Sequence, residues 1–412
     1  MTYHDHHFHP LGYVSLVHGL ELMTATSLDE VLTRVATWAE ETTGPLVGQR
    51  LNDEGLAEGR LPTRDHLDQA VSDRPVLLYR YCGHIAVANT KMLDLAGIDA
   101  DTPEPDGGSF DRDRYGVPTG VLRETAVQEV SQALAPLIPP PPDNSILDAL
   151  ATLRGVGLES VTGIVSAGEA IWCGVPDEVE TLCRLAPDLP VDIDLLVITG
   201  DAGRLTDAKR RIDEAGGRIR FLGWKDFADG SLGGHTAALY EPYADRSDNR
   251  GKVRLHPERA RVMAKTSLSL GGVAAIHAIG DRANDLVLDV FEDLIYDGAD
   301  PSRLRIEHAS VLTERSIDRM AALGVTASIQ PAFLASEEDW LVKRLGEDRM
   351  RHAYPFRSMT EAGIRLLGGS DSPVELPDPQ VGMTAAVHRH GINPDEALTR
   401  HQAEALFGPA GL

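Results

Sequence analysis

Short runs rich in β-branched residues alternate with longer amphipathic stretches along most of this chain. The amphipathic stretches, such as Ala283–Tyr296 and Glu314–Leu323, carry apolar residues at helical spacing. Strands that alternate with helices indicate a parallel α/β architecture, and eight such units are enough to close a (β/α)8 barrel. The eight predicted strands are His4–His9, Ser160–Ser166, Val191–Ile198, Arg218–Phe227, Gly272–Ile276, Leu304–Glu307, Val325–Gln330 and Ile364–Leu367.

One long segment does not follow this alternation. From about Leu20 to Ile138 the chain is rich in turn residues, as in Pro103–Gly116, and the segment ends at four prolines, Pro139–Pro142. A length of 412 residues is too great for one ordinary core but suits a barrel with an insertion. We therefore interpret residues 1–412 as one barrel, with residues 20–142 inserted after the first strand as a lid or cap, since loops of this size are usually functional.

The composition restricts the partners of this chain. With 39 Lys and Arg against 63 Asp and Glu, the formal net charge is −24, which disfavours binding to nucleic acid and to anionic membranes. No run of about 18 uncharged apolar residues predicts a membrane span, and the N-terminus lacks the pattern of a secretory signal. The three cysteines, Cys82, Cys173 and Cys183, are widely spaced and suit a reducing compartment. We therefore expect a cytoplasmic protein without nucleic-acid or membrane partners.

Histidines two residues apart near the N-terminus are the first candidate metal ligands. His7 and His9 stand at positions i and i+2 of a predicted strand, where side chains point to the same side, so both imidazoles can contact one ion. Asp5 lies on that same face. His4 and His6 have the same spacing, so the spacing leaves both registers open, and a frayed, histidine-rich terminus is the alternative without function.

A lysine stands inside an apolar predicted strand. Lys225 follows Phe221–Trp224, and a lysine in such a place usually pairs with an acid, here Asp226 or Asp229, or extends its charged end to solvent. Alternatively, burial lowers the pKa of the amine, which can then react with CO2 to form a carbamate, an anionic ligand with two oxygens. The residue types therefore allow either a structural or a metal-bridging lysine.

Three later strands are predicted to end in His277, His308 and Asp371. Each of these alone could equally be a capping or core residue. Together with the earlier candidates, however, they all lie at the carboxyl ends of predicted strands, and a closed barrel brings those ends to one mouth. Imidazoles and carboxylates suit Zn, Mn, Fe or Co, with an open coordination position for water. The series therefore predicts a metal site at the barrel mouth.

These segments together resemble the amidohydrolase superfamily over nearly the whole chain. The resemblance is greatest to the amidohydrolase 3 branch, which includes N-substituted formamide deformylases and exoenzyme regulatory proteins. The D-x-H-x-H pattern of Asp5–His9 matches the first strand of that branch and selects the register of His7 and His9. The other segments that resemble the branch are Glu58–Arg64, Asp73–Val76, Gly83–His84 with Asn89, Gly116–Glu124, Lys225–Gly233, Ile276–Asp281, Arg305–His308 and Gly369–Pro373.

The resemblance implies a TIM-like barrel and a metal-dependent hydrolase that cleaves an amide or formamide C–N bond in a small molecule. It implies one or two divalent ions, zinc in the first place and otherwise Mn, Fe or Co, with Lys225 carbamylated if two ions bind. Asp371 would take a proton from metal-bound water and pass it to the leaving nitrogen. His84 and Asn89 would contact the substrate or serve the structure alone. The implied metal ligands are His7, His9, Lys225, His277, His308 and Asp371.

The chain departs from the pattern of this branch at its two ends. Members of the branch carry segments before the first strand and after the last helix that together form a small β-sandwich, whereas this chain begins almost at the D-x-H-x-H strand and ends at Leu412. We therefore expect the flanking β-sandwich to be largely absent. An apolar flank of the barrel would then need cover, and a second subunit in a homodimer is one way to supply it.

Two other functions stay open on the sequence. A hydrolase of another ester-like or cyclic bond would use the same metal chemistry, because a fold and a set of metal ligands do not specify a substrate. A non-catalytic or regulatory homologue is the alternative of a different class. A protein that only provides a scaffold would not require the complete set of site residues that this chain carries.

Overall fold

The computed structural model describes residues 2–168 and 177–409, which form two compact units. The first unit contains residues 2–10, 150–168 and 177–409, and the second contains Leu11–Ala149. In chain order the strands are β1 (Tyr3–Phe8), β2 (Leu20–Glu21), β3 (Leu46–Leu51), β4 (Val76–Arg80), β5 (Ile85–Ala88), β6 (Gly108–Arg112), β7 (Pro118–Glu124), β8 (Leu158–Ser166), β9 (Asp192–Ile198), β10 (Ile219–Phe227), β11 (Val273–Ala278), β12 (Leu304–His308), β13 (Thr326–Ile329) and β14 (Leu366–Gly368).

The first unit is a parallel barrel. Its described residues form an eight-stranded sheet in the order β1-β8-β9-β10-β11-β12-β13-β14, in which every pair of neighbours is parallel. The two edges approach each other where the amide of Asp371 donates to the carbonyl of His7 (2.7 Å) and the amide of His9 donates to the carbonyl of Ser372 (2.9 Å). The predicted (β/α)8 barrel is therefore confirmed, and each of its predicted strands coincides with an observed strand to within a few residues.

Helices follow most strands of the barrel. In chain order the α-helices are α1 (Pro10–His18), α2 (Leu28–Glu41), α3 (Arg64–Ala70), α4 (Thr90–Ala96), α5 (Thr125–Leu134), α6 (Asp143–Ala151), α7 (Glu178–Leu185), α8 (Ala202–Ala215), α9 (Pro257–Ser269), α10 (Asp281–Tyr296), α11 (Glu314–Leu323), α12 (Phe333–Glu337), α13 (Leu341–Leu345), α14 (Glu347–Met350), α15 (Phe356–Glu361), α16 (Pro379–His388) and α17 (Arg400–Leu406).

The bounds of α11 follow from its sequence. The hydroxyl of Thr313 accepts a hydrogen bond from the amide of Ser316 (3.1 Å) and so caps the first turn. Gly324 ends the helix in the left-handed conformation, with φ 73°, which glycine adopts without the steric cost of a Cβ. Between these signals Ile317 and Met320 are buried about one turn apart. The helix coincides with the stretch that the sequence predicted.

The second unit contains a sheet that the sequence analysis did not predict. Its described strands follow the order β2-β3-β4-β5-β7-β6, parallel from β2 to β4 and antiparallel from β4 to β6. Strand β6 lies within Pro103–Gly116, which we had interpreted as turns, and pairs with β7 through Phe110 and Leu122. These strands are short and mostly joined as antiparallel neighbours, so they leave no βα alternation in the sequence. The role of residues 20–142 as a lid or cap stays a prediction.

The described residues bear on two predictions, one about membrane spans and one about the cysteines. No helix among them is long and apolar enough to cross a membrane. Cys82 and Cys183 are free thiols, while Cys173 lies outside the described residues.

Candidate metal centre

The structure brings the predicted metal ligands together at the carboxyl end of the barrel. All six are buried, with at most 7% of any of them exposed. Four belong to barrel strands and two directly follow them: His7 in β1, Lys225 in β10, His277 in β11, His308 at the end of β12, His9 just after β1 and Asp371 after β14. Gly369 allows β14 to approach β1, since a Cβ there would lie 2.5 Å from the backbone nitrogen of His7.

The register of the N-terminal strand is resolved by contacts on its two faces. Oδ1 of Asp371 lies 3.2 Å from Nε2 of His7 and 3.1 Å from Nε2 of His9, and the potential ligand atoms of these three residues lie within 4.8 Å of one another. His4 instead hydrogen-bonds with Ser160 (2.7 Å) and Thr162 (2.9 Å). The structure therefore places His7 and His9, rather than His4 and His6, at the cluster with Asp371.

The later histidines extend this cluster across the barrel. The ring centroid of His308 lies 4.8 Å from that of His7 and 4.4 Å from that of His277. His308 also stacks on Phe333, with centroids 6.1 Å apart and an interplanar angle of 13°. The imidazoles from β1, β11 and β12 thus form one continuous group.

In each of three imidazoles, one ring nitrogen forms a hydrogen bond with an oxygen acceptor. Nδ1 of His7 donates to Oε2 of Glu307 (2.5 Å), and Nδ1 of His308 donates to Oε1 of Gln330 (2.6 Å), so that Nε2 is the nitrogen with which each could bind a metal. His277 contacts the carbonyl of Gly230 through Nε2 (3.0 Å), so Nδ1 is the nitrogen with which it could bind a metal. Metal-binding histidines usually donate their second ring nitrogen to such an acceptor, because this fixes the tautomer. The donor set therefore fits a divalent transition metal.

Glu307 is a site residue that the sequence analysis missed. It is fully buried, and Arg305, two positions earlier on β12, contacts Oε1 through Nε and lies 3.0 Å from Oε2 through a terminal nitrogen. Burial alone would raise the pKa of Glu307, but Arg305 and His7 hold it well below its usual value. Glu307 is therefore a carboxylate at neutral pH. Its signal was present in Arg305–His308, where only the histidine had been assigned a role.

Two buried aspartates orient the backbone around the cluster. Asp5 accepts hydrogen bonds from the amide of His7 (3.0 Å) and from the amide and hydroxyl of Ser370 (3.0 and 2.6 Å). Asp229 accepts from the amides of Ile279 (3.0 Å) and Gly280 (2.8 Å), just after β11. Both carboxylates therefore fix segments that carry candidate ligands.

Lys225 lies close enough to this cluster for the charges of Glu307 and Asp371 to affect its pKa. Its amine is 3.8 Å from the ring centroid of Phe227 and 3.2 Å from the carbonyl of Asp226. Burial lowers the pKa of Lys225 to about 8, and the negative charges of Glu307 and Asp371 oppose this shift. A substantial fraction of the amine is therefore uncharged at mildly alkaline pH, which is the form that reacts with CO2.

Strained backbone conformations occur at the cluster. His308, Ala309 and Asp371 have φ of 74°, 47° and 57°, a region that residues other than glycine seldom adopt. Such conformations cost free energy and are found mainly where a site requires a particular side-chain direction. They indicate that β12 and the segment after β14 are shaped by the site.

His84 and Asn89, which we predicted as substrate contacts, lie in the second unit. Asn89 caps α4: its Oδ1 accepts from the amides of Val76 (3.0 Å) and Met92 (2.9 Å), and its Nδ2 donates to the carbonyl of Val71 (2.9 Å). These bonds support the structural role. His84 hydrogen-bonds with Glu124 through Nδ1 (2.9 Å), and its role in binding substrate stays a prediction.

Comparisons with known proteins identify the family to which the sequence is similar. The model of the amidohydrolase family, Amidohydro_3, matches residues 4–410. YtcJ of Bacillus subtilis (strain 168), an amidohydrolase by name, is 32% identical over 411 residues, which cover 98% of this chain and 75% of YtcJ. An N-substituted formamide deformylase from Arthrobacter pascens is 28% identical over 364 residues, which cover 85% of this chain and 66% of the deformylase.

A solved structure shows the same similarity in the fold. The crystal structure of an uncharacterized metal-dependent hydrolase from Pyrococcus horikoshii OT3 superposes with a TM-score of 0.73 at 30% sequence identity. The superposition covers 98% of this chain and 78% of that hydrolase. The similarity in sequence and the similarity in fold therefore extend over nearly all of the chain.

Proposed function

This chain belongs to the amidohydrolase family and is a metal-dependent hydrolase, and we propose that it cleaves an amide or formamide C–N bond in a small molecule. The similarity to a deformylase that acts on N-substituted formamides supports this bond type. The reaction needs an activated water, a polarised carbonyl and a group that protonates the leaving nitrogen.

The observation that carries the proposal is the buried cluster of His7, His9 and Asp371, whose potential ligand atoms lie within 4.8 Å of one another. Burial alone would lower the pKa of His7, but Asp371 and Glu307 on its two sides raise it above its usual value. The cluster therefore stabilises a positive charge, which a bound metal ion would supply.

A divalent ion, zinc in the first place, would be held by His7, His9 and Asp371, and a second ion by His277 and His308. When bound, such an ion polarises the substrate carbonyl and lowers the pKa of a coordinated water towards about 7. Lys225 would bridge two ions as a carbamate. Its burial and its lowered pKa, about 8, support that role because the carbamate forms from the uncharged amine.

Asp371 is the proposed general base and acid. Burial alone would raise its pKa, but the charge of His7 and hydrogen bonds with His7 and His9 hold the pKa well below its usual value. Asp371 is therefore ionised at neutral pH and can accept a proton on Oδ from the attacking water. Transfer of that proton to the nitrogen lets the amine leave as a neutral molecule.

The proposal also includes the class of substrate, the compartment and the oligomeric state. The net charge of −24 favours a small-molecule substrate over nucleic acid or an anionic membrane surface. The free thiols of Cys82 and Cys183 suit a reducing cytoplasm. A homodimer remains an expectation whose test is the molecular mass in solution.

The test combines elemental analysis with a substrate panel. We expect one to two equivalents of a transition metal in the purified protein, lost in His7→Ala and His277→Ala and kept in the control His401→Ala, whose side chain is exposed. The panel contains N-substituted formamides and N-acyl amines, with esters and lactones as comparators. Turnover restricted to the comparators would replace the C–N assignment by the alternative bond. Protein that remains free of metal after reconstitution would support the non-catalytic alternative.

A further inference from the structure

The barrel unit contains a cavity at the opposite end from the candidate metal centre. Its volume is about 350 Å³. Arg220 and Arg305 line it, five and three positions before Lys225 and His308 on the same strands. At about 3.3 Å per residue, five positions separate Arg220 from Lys225 by roughly 16 Å. The cavity is therefore distinct from the candidate metal centre.

Three arginines line this cavity. Among the described residues that line it, Arg220, Arg305 and Arg365 are cationic, whereas Asp194 is the carboxylate. Asp194 accepts a hydrogen bond from Nε of Arg220 (2.7 Å), and Arg305 pairs with the buried carboxylate of Glu307, which does not line the cavity. The lining itself therefore contains more guanidinium groups than carboxylates.

Hydroxyl groups complete a set of donors suited to oxygen atoms. Thr162, Ser302 and Thr326 line the cavity beside the arginines. Guanidinium groups and hydroxyls are the usual partners of carboxylate and phosphate oxygens, and the planar fork of arginine matches two oxygens of one group. A volume of about 350 Å³ is also sufficient for a small organic acid.

We propose that this cavity binds a small oxyanion, either a phosphate group or a carboxylate, at the amino-terminal end of the barrel. Arg365 and Arg220 make the main contacts, with Arg305 at the inner wall. The binding itself does not depend on the proposed hydrolase activity.

Arg305 links the cavity to the metal centre. It lines the cavity, contacts Glu307 and also donates to the carbonyl of His6, and Glu307 in turn accepts from His7. An anion that hydrogen-bonds with Arg305 weakens the pairing of Arg305 with Glu307. The weaker pairing changes the basicity of His7 and therefore how strongly His7 would bind a metal. This coupling, unlike the binding, rests on the proposed metal site.

The test measures binding of inorganic phosphate and of acetate by calorimetry, with the wild type and matched arginine variants. Arg365→Gln and Arg220→Gln should weaken binding by about tenfold or more, which corresponds to roughly 1.4 kcal/mol. Arg218→Gln is the control, because Arg218 pairs with Asp192 (2.8 Å) two positions before Arg220 and does not line the cavity. Tighter binding of phosphate than of acetate, or the reverse, identifies the ligand chemistry.

Three results would overturn the proposal: no saturable binding of either anion, equal binding by all variants, or loss of binding only in His7→Ala, which would place the anion at the metal centre. Circular dichroism checks that each variant folds. If Arg365→Gln does not fold, Arg220→Gln decides alone, since its side chain is 67% exposed and its replacement leaves the core intact. The coupling has its own measurement, the metal affinity with and without phosphate, so that a failure of the metal site leaves the binding result unaffected.

Discussion

Nδ1 of His7 lies 2.5 Å from Oε2 of Glu307, although the two residues are 300 positions apart in the sequence. The contact joins β1 to β12 across the barrel interior, with both side chains buried. It leaves Nε2 of His7 directed to Asp371, at 3.2 Å. Glu307 thus selects the tautomer in which His7 can bind a metal, and it increases the basicity of the nitrogen that does so.

We predict that Glu307→Gln weakens metal binding by about 10–100-fold, because the amide neither carries the negative charge nor selects the tautomer of His7 as strongly. Competition with a chromophoric chelator measures this affinity. Glu292→Gln, at an exposed glutamate paired with Arg319, is the matched control and should bind metal like the wild type. An unchanged affinity in Glu307→Gln would show that Glu307 does not support His7.

Gln330 is predicted to support His308 in the same way, but without a charge. Its Nε2 has no hydrogen-bond partner among the described residues, so the contact with His308 is what orients the amide. The Gln330→Leu variant should therefore lose metal faster than the wild type does. The Gln330→Glu variant should retain metal at least as well as the wild type. The rate of metal loss to a chelator measures this. Gln380→Leu is the control at an exposed glutamine, and equal rates in all four proteins would contradict the prediction.

Lys225→Ala should lose metal and activity, with partial rescue of both by short carboxylic acids, because a free carboxylate can replace the carbamate between two ions. Elemental analysis and turnover in the presence of acetate or propionate provide the measurement. Lys265→Ala changes an exposed lysine that pairs with Asp297 and should have no effect. Full metal content in Lys225→Ala would exclude the bridging role.

Asp371→Asn should retain metal, because His7, His9 and the amide oxygen of the new side chain can still act as ligands, but should reduce kcat by about 10²–10⁴-fold, the usual contribution of a positioned acid or base. The reason is that an amide cannot accept the proton of the attacking water. Turnover is measured on the substrate found in the panel, with metal content determined on the same sample. Asp339→Asn, at an exposed position, serves as the comparison. Turnover equal to that of the wild type would remove Asp371 as the base.

Acid stability should depend on His4. Burial and the charges of Arg305 and Arg220 lower the pKa of His4 from 6.5 to about 3. Because the unfolded chain takes up this proton at a higher pH than the folded protein, the free energy of unfolding decreases as the pH falls from 6.5 to about 3. His4→Gln should reduce this dependence in denaturant titrations across the interval. His401→Gln, at an exposed histidine, should leave it unchanged.

The barrel could be predicted because its strands, mostly short runs rich in β-branched residues, alternate with amphipathic helices, a pattern that depends on local sequence alone. The candidate ligands could be predicted for a related reason, since the ends of parallel strands converge whatever the intervening residues are. The sheet of the second unit could not, because antiparallel strands as short as β6 resemble turns until their partners are known.

The supporting residues of the site required the folded structure. Glu307 and Gln330 have no local feature that distinguishes them from core polar residues, and their roles depend on which imidazole nitrogen each contacts. Those contacts join strands far apart in the chain. The choice between His7 and His4 shows the same division: their spacing in the sequence is equivalent, and only the packing of β1 against Asp371 on one face and Ser160 on the other distinguishes them. Local sequence thus determined which residues could bind a metal, while the three-dimensional contacts determined which of these candidates lie together, because tautomer and register are properties of the packed barrel.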